Sequence, residues 1–250
     1  MQSIDRIVRI LMLLSIASEG IGITKLYKES NIPKSSLHRI LTSLLKSGYV
    51  LQDEDTKKYR LGPSLLRLGA SYLYQNDLRK IAAPYLEKLG QELNETVFLA
   101  VFQSELVMCI DTCETSRNNI TYFVRQGRAM PFNTTAAAKV LLAYQTEEMI
   151  KKLVIPENLV KNTEKSIIDP KIFIKHLAEI REKGYGTCKE EMEEGVMAIA
   201  APIWNIKSRV IGSVAVVGPL TRIENSEKLF IEKIKKTGYL ISSEMGHYSR

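Results

Sequence analysis

The sequence predicts an α+β chain in two parts: a small basic unit made mostly of helices, then a larger domain with helices packed on a mainly antiparallel sheet. Three observations lead there. Over the first 75 positions apolar residues recur at three-and-four spacing, the period of a half-buried helix. From about residue 96 the pattern changes to apolar, β-branched runs separated by polar turns, as strands require. Charge is also uneven. Residues 1–75 hold 11 of the 35 Lys and Arg but only 6 of the 28 Asp and Glu, so five of the seven net positive charges fall in under a third of the 250 residues.

Ile4, Ile7, Val8, Leu11 and Leu14 place one face of a helix over 4–17, which Gly20 and Gly22 stop because glycine loses the most backbone entropy in a helix. Thr24 is the expected cap of a short second helix over 25–30, with Leu26 and Tyr27 inward. Ser30-Asn31-Ile32-Pro33 reads as a turn, since Pro33 biases Ile32 away from helical angles. A third helix then buries Leu37, Ile40, Leu41, Leu44 and Leu45, with Ser35 or Ser36 as cap and Gly48 at its end. Its opposite face gathers Lys34, Ser35, Ser36, His38, Arg39 and Thr42 at and after the helix start. Free amides and the positive dipole end suit phosphate there, and side chains from the first turns can reach base edges when the helix lies in a major groove. On these residues alone an ordinary solvated face fits as well.

The next segment weights the choice. Tyr49–Leu51 and Lys57–Leu61 flank the polar turn 53–56, giving a β-hairpin whose second strand carries Lys57, Lys58 and Arg60. A hairpin directly after such a helix is the wing of a winged helix-turn-helix, where cations contact phosphates and position the protein. Residues 63–75, with Leu65, Leu66, Leu68 and Leu73, continue as a stiff linking helix. The expected organisation is a DNA-binding unit over 1–62, a linker helix over 63–76 and a second domain over 77–250.

Within that second domain, Asn76 or Asp77 starts a helix to about Leu93 that turns Ile81, Leu86, Leu89 and Leu93 inward. Strands are expected over 96–102, 106–113, 120–124, 197–204 and 210–217, and helices over 134–143, 169–183 and 226–245. Asp169-Pro170 and Gly184 are the start and stop signals of the middle helix.

The run IPKSSLHRILTSLLKSGYV, with Pro33, Lys34, Ser35, Ser36 and Arg39, and the exit KKYRLGPSLLRLG, with Tyr59, Leu61 and Gly62, resemble the DNA-binding domain of IclR-type transcription regulators. The resemblance continues through ETVFLAV (95–101), GRAMPFNTTAAAKVLLA (127–143), GYGTCKEEMEEGVMAIAAPIW (184–204) and VAVVGPLTRI (214–223), so it spans nearly the whole chain. It implies a GAF-like second domain that binds a small-molecule effector, usually a carboxylic or aromatic metabolite. It also implies dimers formed through the DNA-binding and linker helices, often paired into tetramers, on a palindromic double-stranded operator. Repression is the commoner mode in the family. Carried over residue by residue, the effector positions are Gly127, Arg128, Ala129, Met130, Cys188, Glu190, Ala198, Ala215 and Val217. Two departures matter. Asn133 stands where the family commonly has His, and Ala138 where it has Gly. Members that sense small 2-oxo acids line the pocket with Asp, Cys and Ser, whereas the matching positions here are Cys188, Ala198, Ala215 and Val217. Burying a small carboxylate without donors costs several kcal/mol, leaving the backbone at 127–129 and Arg128 as donors. An effector larger and more apolar than glyoxylate or pyruvate is therefore expected.

An enzyme acting on a small metabolite and a nonspecific DNA-architectural protein are the alternative classes. The sequence has no glycine-rich phosphate loop, dinucleotide fingerprint or Gly-x-Ser-x-Gly elbow, so no enzyme is expected. His38, His176 and His247 fall in separate helices and read as solvated. Cys109 and Cys113, four apart on one expected strand, share a face; with Cys188 they are compatible with a soft-metal or redox site, or with small buried hydrophobes. Glu191, Glu193 and Glu194 read as a solvated turn, with Glu190 facing the cavity. No cofactor, metal or membrane partner is expected. The longest apolar runs are short of the ~20 residues that span a bilayer, and three cysteines make no disulfide framework, so a reducing, cytoplasmic setting is expected.

Overall fold

In the computed structural model, which describes residues 3–75, 77–114 and 124–247, the chain divides into two compact units, Met1–Gln75 and Asn76–Arg250. The first contains α1 (Ser3–Ile16), α2 (Ile23–Ser30), α3 (Lys34–Lys46), the hairpin β1 (Val50–Gln52) and β2 (Tyr59–Leu61), and α4 (Pro63–Gln75). Its core is Ile10 and Leu14 of α1, Leu26 of α2, Leu37, Leu41 and Leu44 of α3, with Ile21, Ile32, Val50 and Tyr59. Ile40 and Leu45 pack only partly against it.

Several local expectations give way to tertiary context. Gly22, not Thr24, caps α2, and Pro33, not Ser35 or Ser36, caps α3; neither cap has a side-chain hydrogen bond. Proline's fixed φ and lack of an N–H suit it to a helix start. Tyr27 is not inward; its ring lies exposed under the Lys34 ammonium, 5.2 Å from the centroid. On α1 the apolar arc is wider than the core it meets, so Ile4 (70 % exposed), Val8, Met12 and Ile16 form a stripe facing outward. Among the described side chains of α4 none is buried, and Leu66 is 75 % exposed.

The second unit is a six-stranded, wholly antiparallel sheet in the order β5-β4-β3-β8-β7-β6: β3 (Thr96–Gln103), β4 (Leu106–Cys113), β5 (Ala129–Met130), β6 (Gly186–Lys189), β7 (Val196–Trp204) and β8 (Val210–Pro219). Helices α5 (Asp77–Leu93) and α10 (Glu227–Glu244) pack against it, and α6 (Ala136–Ala143) packs with α8 (Pro170–Lys183). A Cβ at Gly238 would sit 2.9 Å from Pro202 O, so glycine there lets α10 approach β7 closely. Asp169 caps α8, accepting from the Lys171 and Ile172 amides, and Gly184 ends it in the left-handed region. Helices α7 (Glu147–Leu153) and α9 (Leu220–Asn225) and strands β5 and β6 add to the expected elements. Asn76, the Leu73 side chain and residues 120–123 of an expected strand lie outside the described residues.

A β-bulge corrects the cysteine reading. Ala100 opposes Cys109 but Leu99 opposes Asp111, so Ile110 is an extra residue in β4. Cys109 therefore shares a face with Ala100, while Cys113 shares one with Val97, three residues away on β3 and on the other side. The two thiols point to opposite faces of the sheet.

Helix α6 is apolar all round and buried at all eight positions, including Lys139. The Lys139 Nζ donates to Glu191 Oε1 and Oε2 at 2.6 and 2.5 Å and to Thr187 O at 3.1 Å. Glu191 is thus a buried partner, not part of a solvated turn; burial pushes its carboxyl up and the ammonium opposes that. Nearby His176 is half-buried instead of solvated, and its Nε2 is enclosed without a hydrogen-bond partner. Burial and then the Lys139 charge lower it from 6.5 to about 4.

Two outcomes follow. Lys139→Met leaves a buried carboxylate uncompensated and should destabilise the protein by about 3–5 kcal/mol in urea unfolding, while adding Glu191→Leu should restore most of the loss. An equally unstable double variant would show that the pair is not the cause. Between pH 6.5 and 4 the unfolded chain binds a proton on His176 that the folded chain does not, so the stability this group confers is full above about pH 6.5 and is lost as pH falls. From pH 7 to 5, His176→Gln should lose about 1–2 kcal/mol less stability than the unsubstituted protein; parallel losses would refute the assignment.

Candidate functional site

Two surfaces carry chemistry, one in each unit. In the first, α3 presents Lys34, Ser35, His38, Arg39 and Thr42 to solvent, while Ser36 is half-buried. Because no side chain caps α3, its first amides face outward alongside Lys34. Arg6 of α1, which the sequence did not single out, donates to Ser36 Oγ at 3.4 Å, and the Thr42 hydroxyl donates back to His38 O. A groove of about 520 Å³ runs beside them between α1 and α3, with Arg6, Arg39 and Ser36 in its wall and Ile7, Leu11 and Ile40 in its floor.

The hairpin is held in place from both ends. Tyr59 N donates to Ile21 O and Ile21 N to Tyr59 O, so the wing is bridged to the loop after α1. At its tip Asp53 Oδ1 accepts from the Asp55 and Thr56 amides and the Thr56 hydroxyl, which hold its carboxyl below the usual range. This anchored turn leaves Lys57, Lys58 and Arg60 exposed, with Tyr59 buried between them. The arrangement is a helix with unpaired amides and cations, flanked by a basic ribbon, and it matches a duplex with phosphates on either side of a groove.

The second surface is a cavity of about 670 Å³ in the other unit. Its apolar wall comprises Phe98, Val124, Met130, Val196, Ala198 and Val217. Of the positions carried over from the family pattern, Arg128, Ala129, Met130, Cys188, Ala198 and Val217 line it. Gly127, Glu190 and Ala215 are absent from the lining. The Gly127 amide bonds Cys109 O, Glu190 pairs with Lys165 and accepts from the Gly195 amide, and Ala215 is fully buried in the core. Glu193 stands exposed in the turn, as Glu194 does, and also borders the cavity.

Sequence reasoning missed Arg125, Thr134, Thr135, Asn162 and Met192, which also line the cavity. Asn162 and Met192 come from segments 30 residues apart and meet only because the chain folds: Asn162 Nδ2 donates to Met192 Sδ at 2.9 Å and to Thr134 Oγ1 at 3.2 Å. Asn133, at the position where the family commonly has His, is fully buried and ties the 160–167 segment down, donating to Val160 O and Ile167 O and accepting from Val160 N. The Cys188 thiol donates to Thr134 O, and burial pushes it up to about 11; Cys109 is pushed up to about 12. Both are thiols, not thiolates, at neutral pH. Among the described residues no group of three His, Cys, Asp or Glu is placed to hold a metal ion, and no helix is long and apolar enough to cross a membrane.

Comparison with known proteins agrees with this two-part arrangement. Residues 3–54 match the IclR helix-turn-helix domain and residues 70–243 match the bacterial transcriptional regulator IclR C-terminal domain. The HTH-type transcriptional regulator XynR of Escherichia coli is 30 % identical over 247 residues, covering 98 % of both chains. KdgR of the same organism is 29 % identical over 250 residues, covering 98 % of this chain and 94 % of its own. The crystal structure of an IclR transcriptional regulator from Alicyclobacillus acidocaldarius is 25 % identical, with a TM-score of 0.84 over 98 % of each chain. With both domain families matched in order over most of its length, the chain belongs to the IclR family of transcription regulators, joining a DNA-binding helix-turn-helix unit to an effector-binding domain.

Proposed function

We propose that the protein acts as a homodimer on a palindromic operator and that a small molecule in the 670 Å³ cavity alters its grip on DNA. The observation that carries this reading is the pairing of an exposed basic helix face with an apolar cavity in separate units of one family member. Lys34, Ser35, Ser36, His38, Arg39 and Thr42 enter the groove, and Lys57, Lys58 and Arg60 hold the backbone. The outward stripe Ile4, Val8, Met12 and Ile16 and the exposed Leu66 and Leu68 of α4 supply the apolar area for a second copy. The linker over 63–76 carries the effector's influence from the domain over 77–250 to the unit over 1–62; coupling of this kind is typically about 1–3 kcal/mol, or roughly 5- to 150-fold in affinity. Repression in the cytoplasm is the mode we favour. The largely apolar wall supports an effector larger and more apolar than glyoxylate or pyruvate.

Selection of sheared genomic DNA on the purified protein at about 50 and 200 mM salt tests this, because nonspecific phosphate binding weakens steeply over that range. A discrete palindrome retained at the higher salt is expected; enrichment that disappears and shows no motif would overturn the reading. On that operator Arg39→Ala should cost about 1–3 kcal/mol and relax base preference, whereas Lys57→Ala should weaken all sequences alike and lower the salt slope by about one. Unchanged affinity and base preference in Arg39→Ala would remove Arg39 from the reading set.

A further inference from the structure

We infer that Tyr27, which lies on α2 and outside the helix that meets the groove, is a positioning residue for DNA binding: its ring holds the Lys34 ammonium at the start of α3, so that this cation meets the duplex already ordered. The inference rests on the DNA-binding reading above and adds to it a residue that acts through Lys34.

The contact follows from how closely the two helices are joined. Only Asn31, Ile32 and Pro33 separate α2 from α3. Asn31 ends α2 in the left-handed region, at φ 56°, and Ile32 is buried, so the chain turns within three residues. Pro33 then starts α3 without a side-chain cap. This turn brings residue 27 beside residue 34, with the ammonium 5.2 Å from the ring centroid, within the range of a cation–π contact.

The ring has little part in the core. Its neighbour Leu26 is fully buried there, whereas Tyr27 is 39 % exposed. Nor does a carboxylate of either helix claim the ammonium. Helices α2 and α3 carry one between them, Glu29, and it pairs with Lys25 at 3.6 Å. The difference matters for function. A carboxylate would hold Lys34 but offset the charge that attracts DNA. An aromatic face holds it with the charge intact, and an ammonium has three donors, so some remain for the duplex while another faces the ring. The four-carbon stem of lysine loses much rotamer freedom when its ammonium is fixed by a ligand. A ring that restrains it beforehand reduces that loss on binding.

Operator affinity of the full-length protein, measured on the palindrome recovered by the DNA selection, tests this. Tyr27→Leu and, as a second ringless variant, Tyr27→Gln should weaken binding about two- to fivefold, the value of an exposed cation–π contact. Tyr27→Phe, which keeps the ring, should bind like the unsubstituted protein. The salt dependence of the ringless variants should be unchanged, since the ammonium is still present to displace counterions. In a Lys34→Ala background Tyr27→Leu should have no further effect, a coupling that general loosening of the unit would not produce. Melting temperatures check that each variant is folded. Ringless variants that bind as well as or better than the unsubstituted protein, an equal loss in Tyr27→Phe, a lowered salt slope, or additive losses with Lys34→Ala would each overturn the inference. An unsubstituted protein with no sequence-selective binding overturns the DNA-binding reading beneath it instead.

Discussion

The second unit is organised around one electrostatic constraint. An ammonium with no solvent access, Lys139, sits in the middle of a helix that is otherwise aliphatic, and removing it from water is tolerable only with a carboxylate at hydrogen-bond distance. Glu191 supplies it from 52 residues further along the chain. That requirement fixes the loop after β6, and the loop brings Met192 and Glu193 to the cavity. The segment around 160–167 is locked to the same loop, because Thr163 Oγ1 donates to Glu190 O and Ser166 Oγ to Glu191 O. One buried pair thus sets the position of two cavity walls, and its effect on neighbouring His176 is a by-product of the same charge.

The first unit solves a different problem with a smaller core. Three short helices and a hairpin bury about ten side chains, and the surface is left to cations and hydroxyls. The Tyr59–Ile21 bridge and the Asp53 turn make the wing a rigid ribbon, so its lysines are held out from the unit by backbone geometry and not by packing. Apolar residues that this small core cannot cover remain on α1 and α4. In a unit of this size they make an uncovered apolar surface.

Much of this is legible from the sequence because local patterns and local chemistry agree. Helix α3, the turn before it at Asn31-Ile32-Pro33, the hairpin, the Asp169 cap and the Gly184 stop all follow from residues a few positions apart. The cavity was half legible: Arg128, Met130, Cys188, Ala198 and Val217 come from contiguous motifs, whereas Asn162 and Thr134 reach it through long-range contacts that no local pattern encodes. Glu190 and Glu191 show the limit clearly. They are adjacent carboxylates in a charged run; one pairs at the surface with Lys165 and the other is buried against Lys139. Nothing in their spacing distinguishes them.

The sequence by itself determined most of the helices and strands, the succession of a basic helical part and a sheet part, and the membership of the chain in a family of regulators. These depend on periodicity, on glycine and proline, and on motifs that act over a few residues. Only the tertiary structure decided which charge is buried, that a bulge in β4 sends Cys109 and Cys113 to opposite faces, and which donors the cavity still offers. Burial, register and hydrogen-bond pairing are properties of distant segments brought together, so they exist only once the chain has folded.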